Sequence, residues 1–186
     1  MVQNKLFTAN YRRKREGRTN YRNRLSLLKS KQLRLVVRRS NKNMLVQLVK
    51  YGVDGDQVMA TFTTNHLKAF GWDTNTGNIP SAYLTGLLLG TKMKGEKAIL
   101  DLGLQRPMKG GRIFAALKGA IDGGLEVTFS EEIVPSPERL SGKHIADYAK
   151  SLKDVTSRFS AYAKSQKDPT KFTEHFESTK KKIIGQ

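Results

Sequence analysis

From Gln32 to Arg39 polar and apolar residues alternate, with Leu33, Leu35 and Val37 on one side and Arg34, Val36 and Arg38 on the other. A period of two predicts a strand with one buried face. Ser40-Asn41-Lys42-Asn43 is turn chemistry, because Ser and Asn side chains close local backbone bonds. Met44 to Tyr51 reads as the return strand, Gly52 to Asp56 as a second turn and Gln57 to Thr64 as a third strand, an antiparallel meander. The period then lengthens. Asn65 to Trp72 is a short helical piece, and a polar loop follows from Asp73 to Asn78. Pro80 suits the first turn of a helix running to about Lys94, with Gly95 as its stop. Ala82, Tyr83, Leu87 and Met93 recur near helical spacing and Leu88-Leu89 widen the stripe, so this helix is buried around much of its circumference. Lys97 to Gly103 is a short apolar strand, Gly111 to Asp122 a helix ended by Gly123-Gly124, and Leu125 to Phe129 a last strand. Strands alternating with helices at these spacings predict a parallel portion. The expected class is α/β, a small mixed sheet packed with helices and spanning residues 32–134.

Two flanks differ from this core. Residues 1–31 are expected to form a basic arm with one helix, and residues 1–18 are too poor in apolar groups to order without a partner. Thr19 is the expected cap of that helix, with Tyr21, Leu25 and Leu28 toward the body and Arg18, Arg22 and Lys29 away from it. Pro135 and Pro137 mark the other boundary, and 135–186 reads as a helical extension. Ser141 is the expected cap of a helix reaching about Lys164. Asp168-Pro169 opens a second, which carries Phe172, Phe176 and Ile183 and ends in Lys180-Lys181-Lys182.

Charge follows the same division. Residues 1–43 hold 14 Lys+Arg against one acid, Glu16; residues 44–138 carry −1 and residues 139–186 carry +6 of the total +18. A neutral body with a basic arm is suited to a polyanion. Arginine predominates between Arg12 and Arg39, and its planar fork pairs bidentately with phosphate and stacks on bases. Tyr11 and Tyr21 add flat faces for unpaired bases. The absence of cysteine removes disulfides, thiolate catalysis and cysteine-ligated metals. Neither a signal peptide nor a long uncharged apolar run is present, so a soluble protein that stays where it is made is expected.

Catalytic readings are weaker. Gly86-Leu-Leu-Leu-Gly90-Thr91-Lys92 has the wrong glycine spacing for a phosphate loop and lies inside an expected helix. Pro107-Met108-Lys109-Gly110-Gly111-Arg112 is a better anion candidate: glycines before a helix expose amides, and Lys109 and Arg112 add charge. Asp101, at a strand end, is the best-placed carboxylate for a metal-dependent RNA-processing nuclease, with Asp54, Asp56 and Glu126 as companions, yet nothing in the sequence brings them together. His66, His144 and His175 lack ligand spacing. No enzyme, metal or cofactor is therefore expected. A polybasic membrane-surface protein is a third class.

The runs RRKREGRTNYRNRLSLLKS (12–30), RLVVRRSNKN (34–43), FGWDTNTGNIPSAYLTGLLLG (70–90), AILDLGLQRP (98–107), FAALKGAIDGGL (114–125) and GKHIADYA (142–149) together resemble the universal large-subunit ribosomal protein L-eighteen family, called L-five in eukaryotes. The length and helical extension look archaeal. The resemblance implies a cytoplasmic, non-enzymatic ribosomal constituent that binds 5S ribosomal RNA in the central protuberance. It would touch the large ribosomal RNA and sit beside universal L-five, with no membrane role. It implies RNA contacts from Arg12, Arg13, Lys14, Arg15, Arg18, Tyr21, Arg22, Arg24, Arg38, Ser40, Asn41 and Lys42; Tyr11, Arg39, Lys109 and Arg112 join them from the residue chemistry above. The extension is expected to lie on RNA or a neighbouring protein.

Overall fold

Five strands and the helices around them make up the computed structural model, which describes residues 8–152, 158–160, 162 and 168–185. Strands β1 (Leu33–Arg39), β2 (Met44–Gly52) and β3 (Gly55–Thr63) form the expected antiparallel meander. β4 (Lys97–Asp101) and β5 (Glu126–Val127) add the parallel portion, giving the order β3-β2-β1-β4-β5. β5 is shorter than expected, two residues rather than five.

The alternation in β1 decides which face is which. Leu35 and Val37 are fully buried beside Val46 and Leu48 of β2. They meet α3 (Ile79–Lys92) and α4 (Arg112–Asp122), whose Leu84, Leu87, Ala116 and Leu117 complete the core. Asn78 caps α3 by accepting a bond from Ser81 N (2.9 Å), and Pro80 follows in the first turn, where its missing N–H costs nothing.

Gly86 and Gly90 explain how closely the two helices cross. A Cβ at Gly86 would lie 1.9 Å from Ala116 O, and one at Gly90 2.2 Å from Ala120 O. The reverse holds at Gly119, where a Cβ would lie 2.0 Å from Tyr83 O. The glycines of the 86–92 run are contact points between helices, not a phosphate cradle.

The described residues after 135 pack onto the same core. Helices α5 (Pro137–Ser141) and α6 (Lys143–Ser151) meet at Gly142, whose positive φ of 79° ends one and starts the other. Ser141 therefore ends a helix and does not cap the next. Its hydroxyl donates back to Glu138 O; α6 ends at Ser151, where Leu152 turns extended, short of the expected Lys164, and residues 153–157, 161, 163 and 164 of that span lie outside the described residues. Asp168 accepts a bond from Thr170 N and opens a 3₁₀ turn, Pro169–Lys171, that leads into α7 (Phe172–Ile184). Phe172, Phe176 and Ile183 join the hydrophobic cluster of the sheet domain. Trp72, with no exposed surface, stands edge-on to Phe172 (5.4 Å) and His175 (5.0 Å). Burial and a hydrogen bond to Asp122 raise the Tyr83 hydroxyl above the usual phenol range, and burial pushes Tyr162 up to about 12.

Candidate nucleic-acid interface

The sheet face opposite α3 and α4 carries the arm. Residues 8–18 include one helical turn, α1 (Arg12–Arg15), where a chain without order had been expected; residues 1–7 lie outside the described residues. The arm helix α2 spans Tyr21–Lys29. Its cap is Asn20 rather than Thr19: Asn20 Oδ1 accepts from Asn23 N (3.2 Å), while Thr19 Oγ1 accepts from Arg13 Nε (2.9 Å). The inward face also differs, since Leu25 is 59% exposed and Arg24 and Leu27 turn toward the body beside Tyr21 and Leu28.

Arg24 is turned inward by a charge ladder. It donates two bonds to Asp56 of β3 (2.9 and 2.8 Å), which also pairs with Arg34 of β1 (2.6 Å). Arg34 is only 3% exposed and reaches Asp101 of β4 (3.0 Å). Asp101 in turn accepts from Arg38 (2.9 Å) and from Gly103 N (2.8 Å). Two carboxylates thus serve three guanidiniums across four elements. Burial alone would raise the Asp56 carboxyl, but the bonds from Arg24 and Arg34 outweigh it and hold Asp56 below the usual carboxylate range. The same bond to Asp56 raises Arg24. Gly103 belongs to the arrangement, for its φ is +61° and a Cβ there would meet the Arg38 guanidinium at 2.8 Å.

This geometry corrects the metal-nuclease alternative. Both oxygens of Asp101 are bound to arginine, Asp56 is bound likewise, and Glu126 lies across from Lys97 at the far end of β4. A cation would have to displace guanidiniums. Among the described residues no three His, Cys, Asp or Glu groups gather as a metal site would need.

The Ser40–Asn43 turn is braced from behind. Ser40 N donates to Asn43 O (2.8 Å), and Ser40 Oγ accepts from Asn43 N (2.9 Å). Thr76 Oγ1 lies 2.7 Å from Lys42 O and 3.0 Å from Asn43 Oδ1, and Thr64 Oγ1 donates to Asn43 Oδ1 (3.2 Å). Arg112 Nη1 donates to Ser40 O (3.2 Å) and Gly77 O (2.8 Å). Gln105 grips the Arg39 backbone through both its N–H and its carbonyl. Asn41 and Lys42 are left exposed at the tip.

The glycine turn before α4 also departs from expectation. Gly110 N donates to Ile133 O (2.9 Å) and Gly111 N to Met108 O (3.0 Å), so these two amides are occupied. Lys109 lies 3.6 Å from Glu132, with both side chains exposed.

The sixteen residues singled out in the sequence thus divide by their contacts. Arg24, Arg38 and Arg112 are bound to protein acceptors. Arg12 and Arg18 flank Glu16 loosely (3.6 and 3.4 Å) and remain mostly exposed. Tyr11 rests on Tyr21 with ring centres 5.1 Å apart. Lys14, Arg15, Arg22, Arg39 and Lys42 are exposed and make no ion pair among the described residues. Sequence reasoning missed Asp56 and Arg34 as the fixings of the arm. Asp101 alone carries a signal, being an acid in an expected apolar strand; Asp56 falls in an expected turn and gives none.

A family model described as ribosomal large subunit proteins 60S L5 and 50S L18 matches residues 5–96 and 92–130. The chain belongs to this family. It is therefore a ribosomal protein of the large subunit, a ribonucleoprotein component of translation, and its family is of a structural, non-enzymatic kind. The match takes in the arm, the charge ladder, the braced turn and the α3–α4 crossing of this ribosomal protein. Among the described residues no helix is long and apolar enough to cross a membrane.

Proposed function

We propose that this ribosomal protein binds 5S ribosomal RNA and helps attach it to the large ribosomal RNA in the central protuberance, beside the universal L-five protein, in cytoplasmic ribosomes. The observation that carries the reading is the set of exposed cations on the arm and turn that make no ion pair among the described residues, Lys14, Arg15, Arg22, Arg39 and Lys42, mounted on a neutral body. Phosphate contacts from such groups position an RNA-binding protein, while stacking and turn amides respond to distorted or unpaired RNA. Arg12, Arg13, Arg18 and Tyr11 extend the same surface. Behind it Arg24 holds α2, Arg38 ties β1 to β4 through Asp101 and Arg112 holds the Ser40–Asn43 turn, while Lys109 lies apart, beside Glu132.

Neutralising phosphates releases counterions, so affinity for 5S RNA should fall linearly with salt on logarithmic axes. An Arg12→Ala/Arg13→Ala/Arg15→Ala variant should flatten that slope by roughly 0.7–0.9 for each phosphate contact removed. Filter binding across a salt series measures it. Equal slopes for variant and wild type refute the arm's role.

A further inference from the structure

Between α2 and the open face of the sheet lies a cleft of about 1000 Å³. That volume is at the upper end of small-ligand clefts, roughly 300–1,000 Å³. Val58 and Leu104 give the cleft open apolar surface, 53% and 56% exposed; Val36 and Val49 also line it but are buried, beside the ladder residues Arg34, Arg38, Asp56 and Asp101. Its charge is positive: five arginines line it against two aspartates, and the ladder already satisfies both aspartates. Arg13 and Arg18 remain at the rim, Asn23 offers a carboxamide there, and Tyr21 contributes an aromatic wall.

A groove that only followed a phosphate chain would need no apolar floor. A receptor for a protein's apolar side chain would gain nothing from an arginine rim. An unstacked nucleotide has both characters, a flat base with hydrogen-bonding edges and an attached anion. We propose that this cleft receives one unpaired nucleotide of the bound RNA. The base enters between Tyr21 and the exposed Val58, and its phosphate lies at Arg13 and Arg18. The inference rests on the 5S RNA reading above and adds a place where a particular unpaired base is held.

The test uses the full chain with a 5S RNA transcript and compares wild type with Val58→Gln, Tyr21→Ala and Tyr21→Phe. Val58 is half-exposed on an edge strand and Gln adds no charge, so far-ultraviolet circular dichroism and melting should match the wild type. Val58→Gln and Tyr21→Ala should each weaken binding by about five- to one-hundred-fold, the range for losing a stacked base. The salt slope should not change, because no phosphate contact is removed. Tyr21→Phe should bind as the wild type does. Chemical probing should show one unpaired base protected by the wild type and reactive with Val58→Gln. Unchanged affinity and protection with Val58→Gln overturn the cleft while leaving the arm reading intact. A wild-type protein that ignores 5S RNA overturns the function reading and the cleft with it.

Discussion

Asp101→Ala tests the charge ladder directly. The aspartate is 6% exposed and is held by Arg34, Arg38 and the Gly103 amide. Removing one partner of a buried ion pair typically costs about 3–5 kcal/mol, because the remaining charge is left without compensation. Arg34, at 3% exposure, retains Asp56, which lowers the cost; Arg38 is about a third exposed and can turn toward water. The expected loss is therefore about 2–4 kcal/mol. For a chain of this length each kcal/mol lowers Tm by about 2–4 °C, so a fall of about 4–16 °C is expected. Urea unfolding followed by tryptophan fluorescence reads it, since the single Trp72 is fully buried in the core. A double-mutant cycle with Arg38→Ala should return a coupling of at least about 0.5 kcal/mol, as for residues sharing an ion-pair network. A loss below about 1 kcal/mol with no coupling would mean that the ladder is only a surface arrangement.

Three further outcomes are expected. Asp56 has its pKa lowered in the folded protein, so its contribution is present above its ordinary value of 3.8 and is lost as pH falls below it; limited trypsin digestion should cut the arm near Arg22 and Arg24 faster at neutral pH in Asp56→Asn, and equal cutting rates would contradict the latch. Gly86→Ala should destabilise by about 2–3 kcal/mol or more in urea, because its methyl would lie 1.9 Å from Ala116 O at a backbone-to-backbone crossing; a change under about 0.5 kcal/mol would refute that crossing. Phe172→Ala should cost about 3–5 kcal/mol and red-shift Trp72 emission, since the ring is 1% exposed and packs on the indole; wild-type emission would place α7 off the core.

The strands were legible because a period of two states which face is buried, and Leu35 and Val37 lie where that rule puts them. The arm helix was legible as a helix but not in its rotation. Leu25, Leu27 and Leu28 allow more than one apolar face, and the choice is made by Arg24 reaching Asp56 across 32 positions. Such a pairing cannot be read before the sheet order is known. The same reason hid Arg34–Asp101, 67 positions apart. It also put Arg24 and Arg38 among the expected RNA contacts, although both are bound within the protein. Gly86 and Gly90 drew attention as a possible loop, but their meaning depends on α4, which sequence spacing alone does not place against them.

The Ser40–Asn43 turn has a consequence for how contact with a partner proceeds. Thr64, Thr76 and Arg112 fix its shape beforehand, so little freedom of motion is left there to surrender on docking. The leader around Arg12–Arg15 is a single helical turn with no side-chain bonds to the sheet domain among the described residues, so on the proposed RNA reading it has more motion to lose at contact. If the proposed RNA contacts hold, the turn meets its partner already shaped, like a key cut in advance, and the leader settles around it; amide exchange in the unbound protein should be slower at Asn43, whose N–H is bonded to Ser40, than at Arg15.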